Sequence, residues 1–203
     1  YVRGREFAHA ELKFRFTAPP GFRLHNGEAA VFGEHSGGAL MRFDGRKLDN
    51  PDMSTKRYLS RVWGDGFNFT GVETIDINGM EAATGAGRIS GRDGQRDVRM
   101  VTIRYSRDQV YRFLFLTPPD QSVRLNEDYR RTTFSFRRLS AATAAALKPL
   151  RLRVIQVHSG DTAESLTRRM AVEDFALERF RVLNGLRPGE TLPPGRRVKI
   201  VSE

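Results

Sequence analysis

Val72-Glu-Thr-Ile-Asp-Ile-Asn-Gly-Met-Glu-Ala-Ala-Thr84 sets an Asn78-Gly79 pair between two β-rich runs. Asn-Gly supplies the two positive-φ positions of a tight hairpin turn, so this stretch predicts strands over 72–77 and 80–89. Working outward, Arg96 to Tyr105 and Val110 to Leu116 extend the pattern into a meander, with turns at Arg92-Asp93-Gly94 and Ser106-Arg107-Asp108. Val110-Tyr-Arg-Phe-Leu-Phe-Leu116 is apolar on both faces except at Arg112, as a central strand covered on both sides would be. Pro118-Pro119 stops it.

Upstream, Leu12 to Phe16 alternates apolar and basic residues, and Ala18-Pro-Pro-Gly-Phe22 turns the chain. Ala29 to Phe32 and Ala39 to Phe43 predict two short strands around Gly37-Gly38. The period then changes: from Ser54, an N-cap, the residues Tyr58, Leu59, Val62 and Trp63 form a helical stripe that ends at Gly64. Downstream, Asp120 caps a second predicted helix carrying Val123, Asn126, Tyr129 and Arg130, and Phe134-Ser-Phe136 follows. Strands interrupted by helices predict an α+β fold, a twisted antiparallel sheet with flanking helices, over 1–140. The Ala-rich 141–152 reads as a linker ahead of a small domain at 153–203.

In that tail, Val154-Ile-Gln-Val-His-Ser-Gly-Asp-Thr162 is a strand running into a turn, with Asp161 and Glu164 spaced as a capping box. Leu166 and Met170 give one apolar helical face, and Ala176, Phe180 and Leu183 another, which stops at Asn184-Gly185. Pro193-Pro-Gly195 leads into a last strand, Val198 to Val201. The tail therefore reads as a βααβ unit.

With 203 residues, 39% hydrophobic and 29% charged, the chain has the composition of a folded globular protein. No apolar run is long enough for a transmembrane helix. The absence of cysteine excludes disulfides and thiolate metal sites. A net charge of +10 raises the question of nucleic acid. Only five of the 34 basic residues are lysines, however, and the arginines are dispersed along the chain, which argues against a nucleic-acid code. Opening on Tyr1 without Met or an apolar leader, the sequence reads as a fragment of a longer polypeptide.

Catalytic and metal motifs are wanting. None of the four histidines stands in His-Glu-x-x-His, and His25 and His35, near Glu28 and Glu34, lack a spacing that puts two ligands on one face. Gly85-Ala-Gly87-Arg-Ile-Ser-Gly91 has the wrong spacing for a dinucleotide loop and lies within a strand, where glycine marks close backbone approach. These readings assign the chain no catalytic residue and no metal ligand.

Three resemblances follow from the motifs. Ser159-Gly-Asp-Thr162, Leu166, Leu183-Asn184 and Gly195 resemble a lysin motif (LysM) domain, with Ala163 where the pattern has Leu and Gly185 where it has Pro. That resemblance implies a glycan groove at Ser159, Gly160, Asp161 and Thr162 together with Asn184, Gly185, Leu186 and Arg187. Phe14-x-Phe16-x-x-Pro-Pro-Gly-Phe22, Ile77-Asn-Gly79, Val110-Tyr111 and Phe134-Ser-Phe136 are similar in layout to the PsbP-like fold, which implies binding or accessory roles. The opening Gly4-Arg-Glu-Phe7-x-His9, followed by this meander and tail, resembles the region after the catalytic domain in bacterial zinc metalloproteases related to HtpX and the CAAX endopeptidases. It implies a non-catalytic accessory region in the periplasm or cell envelope, with the protease domain upstream in the same polypeptide and zinc held only there. Peptidoglycan or envelope proteins are the implied partners; the alternative is a purely structural interaction module without glycan affinity.

Overall fold

Asn78 and Gly79 both hold positive φ, 53° and 78°, as the hairpin reading requires. The structure, a computed structural model, describes residues 1–91, 94–172 and 175–203. The turn expected at Arg92-Asp93 lies outside the described residues. The chain divides into two compact units, Tyr1–Ala145 and Ala146–Glu203.

The first unit opens with β1 (Val2–Arg3), β2 (Glu6–His9) and β3 (Phe14–Thr17), then β4 (Phe22–Asn26), β5 (Val31–His35) and β6 (Leu40–Lys47). A helical segment follows, α1 (Thr55–Tyr58) continuing into a π-turn at Leu59–Trp63. The meander is β7 (Phe69–Ile77), β8 (Met80–Gly91), β9 (Gly94–Arg104) and β10 (Gln109–Thr117). Helix α2 (Ser122–Ser135), β11 (Arg137–Arg138) and α3 (Ala141–Ala145) complete the unit. Seven strands form one antiparallel sheet in the order β4-β5-β6-β10-β9-β8-β7, and β1-β2-β3-β11 form a smaller one. The expected α+β antiparallel fold is what the chain adopts, with the 110–116 run central in the large sheet.

Aromatic rings fill the space between the small sheet and one face of the large one. Phe43 lies within 4.6 Å of Phe16 and 4.7 Å of Phe113, centroid to centroid, and Phe14 within 4.4 Å of Tyr111. Helix α2 packs on the same face through Leu125 and Tyr129. The other face carries α1 and the π-turn. There Arg112, the exception in its strand, makes a bidentate pair with Asp44 directly opposite on β6, at 2.6 and 2.7 Å. Tyr58 Oη accepts a third bond from Arg112 at 3.1 Å, and the Trp63 ring stacks on the guanidinium at 4.7 Å. Burial works against the Arg112 charge, but Asp44 and Tyr58 outweigh it and raise its pKa. The glycines of β8 also have their reason on this face. A Cβ at Gly85 would meet the Phe69 ring at 2.7 Å, and one at Gly87 the Phe67 ring at the same distance.

Two local expectations shift. Asp120 falls in a 3₁₀ turn (Pro119–Gln121) rather than capping α2, whose N-cap Gln121 makes no side-chain capping bond. Phe134 and Ser135 belong to the last turn of α2, which runs on because Ser135 Oγ bonds the backbone of both Thr132 and Thr17. Val123 points to solvent, since the buried face of α2 is set by Leu125, Tyr129, Thr132 and Thr133.

The hairpin is tied to α2 by Asn78, whose Nδ2 donates to Phe134 O at 2.9 Å and Phe136 O at 2.8 Å. Asn78→Ala removes both bonds and places a side chain ill suited to positive φ at the turn, so it costs about 2 kcal/mol in urea unfolding. Asn78→Gly keeps the turn and loses only the bonds. Equal stability of Asn78→Gly and wild type would show that the anchor to α2 contributes nothing.

The second unit is β12 (Arg151–Gln156), α4 (Ala163–Thr167), α5 (Ala176–Asn184) and β13 (Arg197–Ser202), with β12 and β13 antiparallel. Val157, Leu166, Met170, Phe180, Val198 and Ile200 form its own core. The order is βααβ.

Candidate functional site

Two turns of the second unit face one cleft. After β12, His158 N donates to Asp161 Oδ2 at 2.8 Å while Asp161 N donates to His158 O at 3.1 Å, closing a turn around Gly160 at φ 86°. The capping box is displaced by one residue from the sequence reading. Thr162 is the N-cap of α4: Ser165 N donates to Thr162 Oγ1 at 3.1 Å and Thr162 N to Ser165 Oγ at 2.9 Å. Asp161 is drawn off instead by the His158 amide, so Glu164 is not its partner.

The second turn ends α5. Gly185 takes the left-handed C-cap at φ 61°, and Leu186 N donates to Arg181 O at 2.9 Å. Asn184 is held on three sides: Nδ2 donates to Phe180 O and Lys199 O, and Oδ1 accepts from Lys199 N at 2.6 Å. Arg187 N donates to Glu190 Oε2 at 3.0 Å.

Between these turns lies a cleft of about 240 Å³, bordered by Asp161, Thr162 and Glu164 on one side and Arg181, Leu186 and Arg187 on the other. Of the eight residues singled out in the sequence, Asp161, Thr162, Leu186 and Arg187 border it. Ser159, Gly160, Asn184 and Gly185 do not; they shape the turns and bind β13 to α5. Leu186 is buried in the unit's core and offers the cleft only its edge. Sequence reasoning missed Arg181, Glu190 and the cleft position of Glu164. Glu164 pairs with Arg181 at 3.5 Å and Glu190 with Arg196 at 2.9 Å. The Arg187 amide, followed by the Arg196 guanidinium, holds Glu190 below the usual carboxylate range. Backbone and Thr162 hydrogen bonds, then Arg181, do the same for Glu164. Carboxylates so held stay ionised and accept hydrogen bonds; they are poorly placed to shuttle protons.

Solved structures match the chain in fold. The cyanobacterial PsbP protein CyanoP from Synechocystis sp. PCC 6803 aligns at 12% identity and TM-score 0.52, over 66% of this chain and 91% of that one. The fold is PsbP-like. A Bacteroides thetaiotaomicron VPI-5482 structure aligns at 10% identity and TM-score 0.51, over 78% of this chain and 55% of that one, so the chain spans about half its length. LpqN, described as involved in cell envelope biogenesis of Mycobacterium tuberculosis, aligns at 15% identity and TM-score 0.46, over 63% of this chain and 83% of its own. No family model matches, and no curated protein matches in sequence.

In the PsbP-like sheet, His25 and His35 lie at opposite ends of the β4–β5 ladder, paired with Phe32 and Phe22. His35 Nδ1 accepts from Gly37 N at 3.0 Å, and its ring packs 5.3 Å from Phe22. Among the described residues, no three of His, Asp and Glu group so as to hold a metal ion. No described helix is long and apolar enough to cross a membrane.

Proposed function

We propose that the chain is a non-catalytic binding region of a larger bacterial envelope zinc metalloprotease, and that its βααβ unit is a LysM-like module for N-acetylglucosamine-containing glycan such as peptidoglycan. The observation that carries this reading is the cleft itself: Asp161-Thr162 and Leu186-Arg187, far apart in sequence, border one small open depression. At about 240 Å³ it falls below the usual range of enclosed ligand pockets and suits one part of a long polymer lying across it. Its ionised acids and arginines supply acceptors and donors for acetamido and hydroxyl groups. The protease connection rests on the sequence resemblance. Zinc, on the same resemblance, would be held by the upstream catalytic domain; among the described residues here no three of His, Asp and Glu group so as to hold it.

Chitin oligomers titrated into isotopically labelled protein test the glycan reading. Amide shifts concentrated at 161–164 and 186–190 are the expected result. Millimolar oligomer without shifts there would overturn glycan binding.

A second reading, a docking module without glycan affinity, is favoured by the apolar surface of α5. Val182 is 82% exposed and Phe175, just before the helix, 73%. Under this reading a partner protein covers Val182 and the cleft stays empty.

A further inference from the structure

Within the first unit, a groove of about 670 Å³ runs between α2 and the β7–β9 side of the large sheet. That volume is typical of small-molecule sites. Ala86 on β8, the smallest residue along the groove apart from glycine, leaves the floor open beside Thr70 and Arg99. Ser122, Val123 and Asn126 form the helical wall. One end is closed by a compact cluster: Arg88 Nε donates to Asp97 Oδ1 at 2.6 Å, and Ser122 Oγ to Asp97 Oδ2 at 2.5 Å.

Arg99 is different. It is half-buried, and the one protein acceptor it reaches among the described residues is Asn126 Oδ1, at 2.7 Å. Among the described residues no carboxylate lies within ion-pair distance of it; Glu73 acts on it only through space, against a larger lowering of its pKa by burial. A guanidinium carries five N–H donors in a planar fork, so among the described residues most of this fork has no protein acceptor, and an arginine set into a groove without a direct ion pair favours an anion. Val123, 92% exposed at the second position of α2, puts an apolar side chain on the rim where a solvent-facing helix start would ordinarily be polar or acidic.

We propose that this groove binds a small organic anion, a carboxylate or phosphate monoester on a short alkyl chain, with Arg99 gripping the anionic group and Ala86 and Val123 contacting the chain. The site is independent of the glycan reading, since it lies in the other unit and its signals come from other residues.

Hexanoate, hexyl phosphate and uncharged hexanol, titrated into the labelled full chain, provide the test. At least one anion is expected to shift Ala86, Arg99, Val123 and Asn126, with hexanol at least about tenfold weaker. Which anion binds more tightly identifies the head group. Arg99→Gln should weaken binding by about tenfold or more. Val123→Glu, on an exposed position where an acidic residue suits the helix start, should leave folding intact and also weaken binding by placing negative charge at the rim. Neither anion shifting these residues at tens of millimolar would overturn the proposal. So would hexanol binding as well as the anions, or affinity unchanged in Val123→Glu.

Discussion

Arg112→Ala is expected to lower the stability of the first unit by about 3–5 kcal/mol, because it leaves the Asp44 carboxylate buried without its main partner. Asp44 is almost wholly covered, and its remaining ion pair, with Arg42 at 2.9 Å, comes from a half-exposed side chain. The substitution also removes the donor to Tyr58 and the cation under Trp63, which together seat the helical segment on the sheet. Asp44→Ala should cost a similar amount by stranding the guanidinium instead. The double variant Asp44→Leu/Arg112→Met tests the cause: with no charge left buried, most of the loss should return. Urea unfolding followed by near-ultraviolet circular dichroism reads all three. A loss below about 1 kcal/mol for Arg112→Ala would class the pair with exposed surface bridges.

Phe180→Ala should unfold the second unit and leave the first standing. Phe180 is fully buried in the Val157, Leu166, Val198 and Ile200 core, where deleting a phenyl ring costs about 3–5 kcal/mol. A unit of about 60 residues has only about 3–9 kcal/mol to lose. Amide signals across 153–203 should collapse toward random-coil positions while Asn78, Tyr111 and Tyr129 keep theirs. Limited proteolysis should then trim the chain back to near Ala145. Parallel loss of the Asn78 and Tyr111 signals would mean that the two units fold as one.

The hairpin at Asn78-Gly79 was legible because its chemistry is local: two adjacent residues that accept positive φ decide the turn, and alternation on either side sets the strands. The C-cap at Asn184-Gly185 was legible for the same reason. Caps at helix starts were less so. Asp120 and Asp161 both have the right side chain, but tertiary neighbours settle which of several adjacent polar residues takes the cap, and Thr162 wins while the His158 amide occupies Asp161. Arg112 stood out in its strand, yet its partner Asp44 lies 68 residues away and enters only through the β6–β10 register. Half the expected cleft residues serve the turns rather than the cleft, since a turn motif read in one sequence does not separate shaping a loop from lining it. The Arg99 groove was invisible in sequence because it is assembled from Thr70, Ala86, Arg99 and Asn126 on four separate elements.

The pairing of β3 with β11 sets the order of events during synthesis. Thr17 and Ser135, which bond each other across the two ends of the first unit, are 118 residues apart. At about 5–20 residues per second, the ribosome leaves the Phe7, Phe14 and Phe16 hairpin waiting about 6–24 s for its closing strand. The β7–β10 meander, built from adjacent hairpins, can form within that interval and offer those phenylalanines a surface to settle on. Until Arg137 and Arg138 emerge, the first three strands are an aromatic ribbon with an open edge, the kind of surface on which a nascent chain can pair with a neighbour.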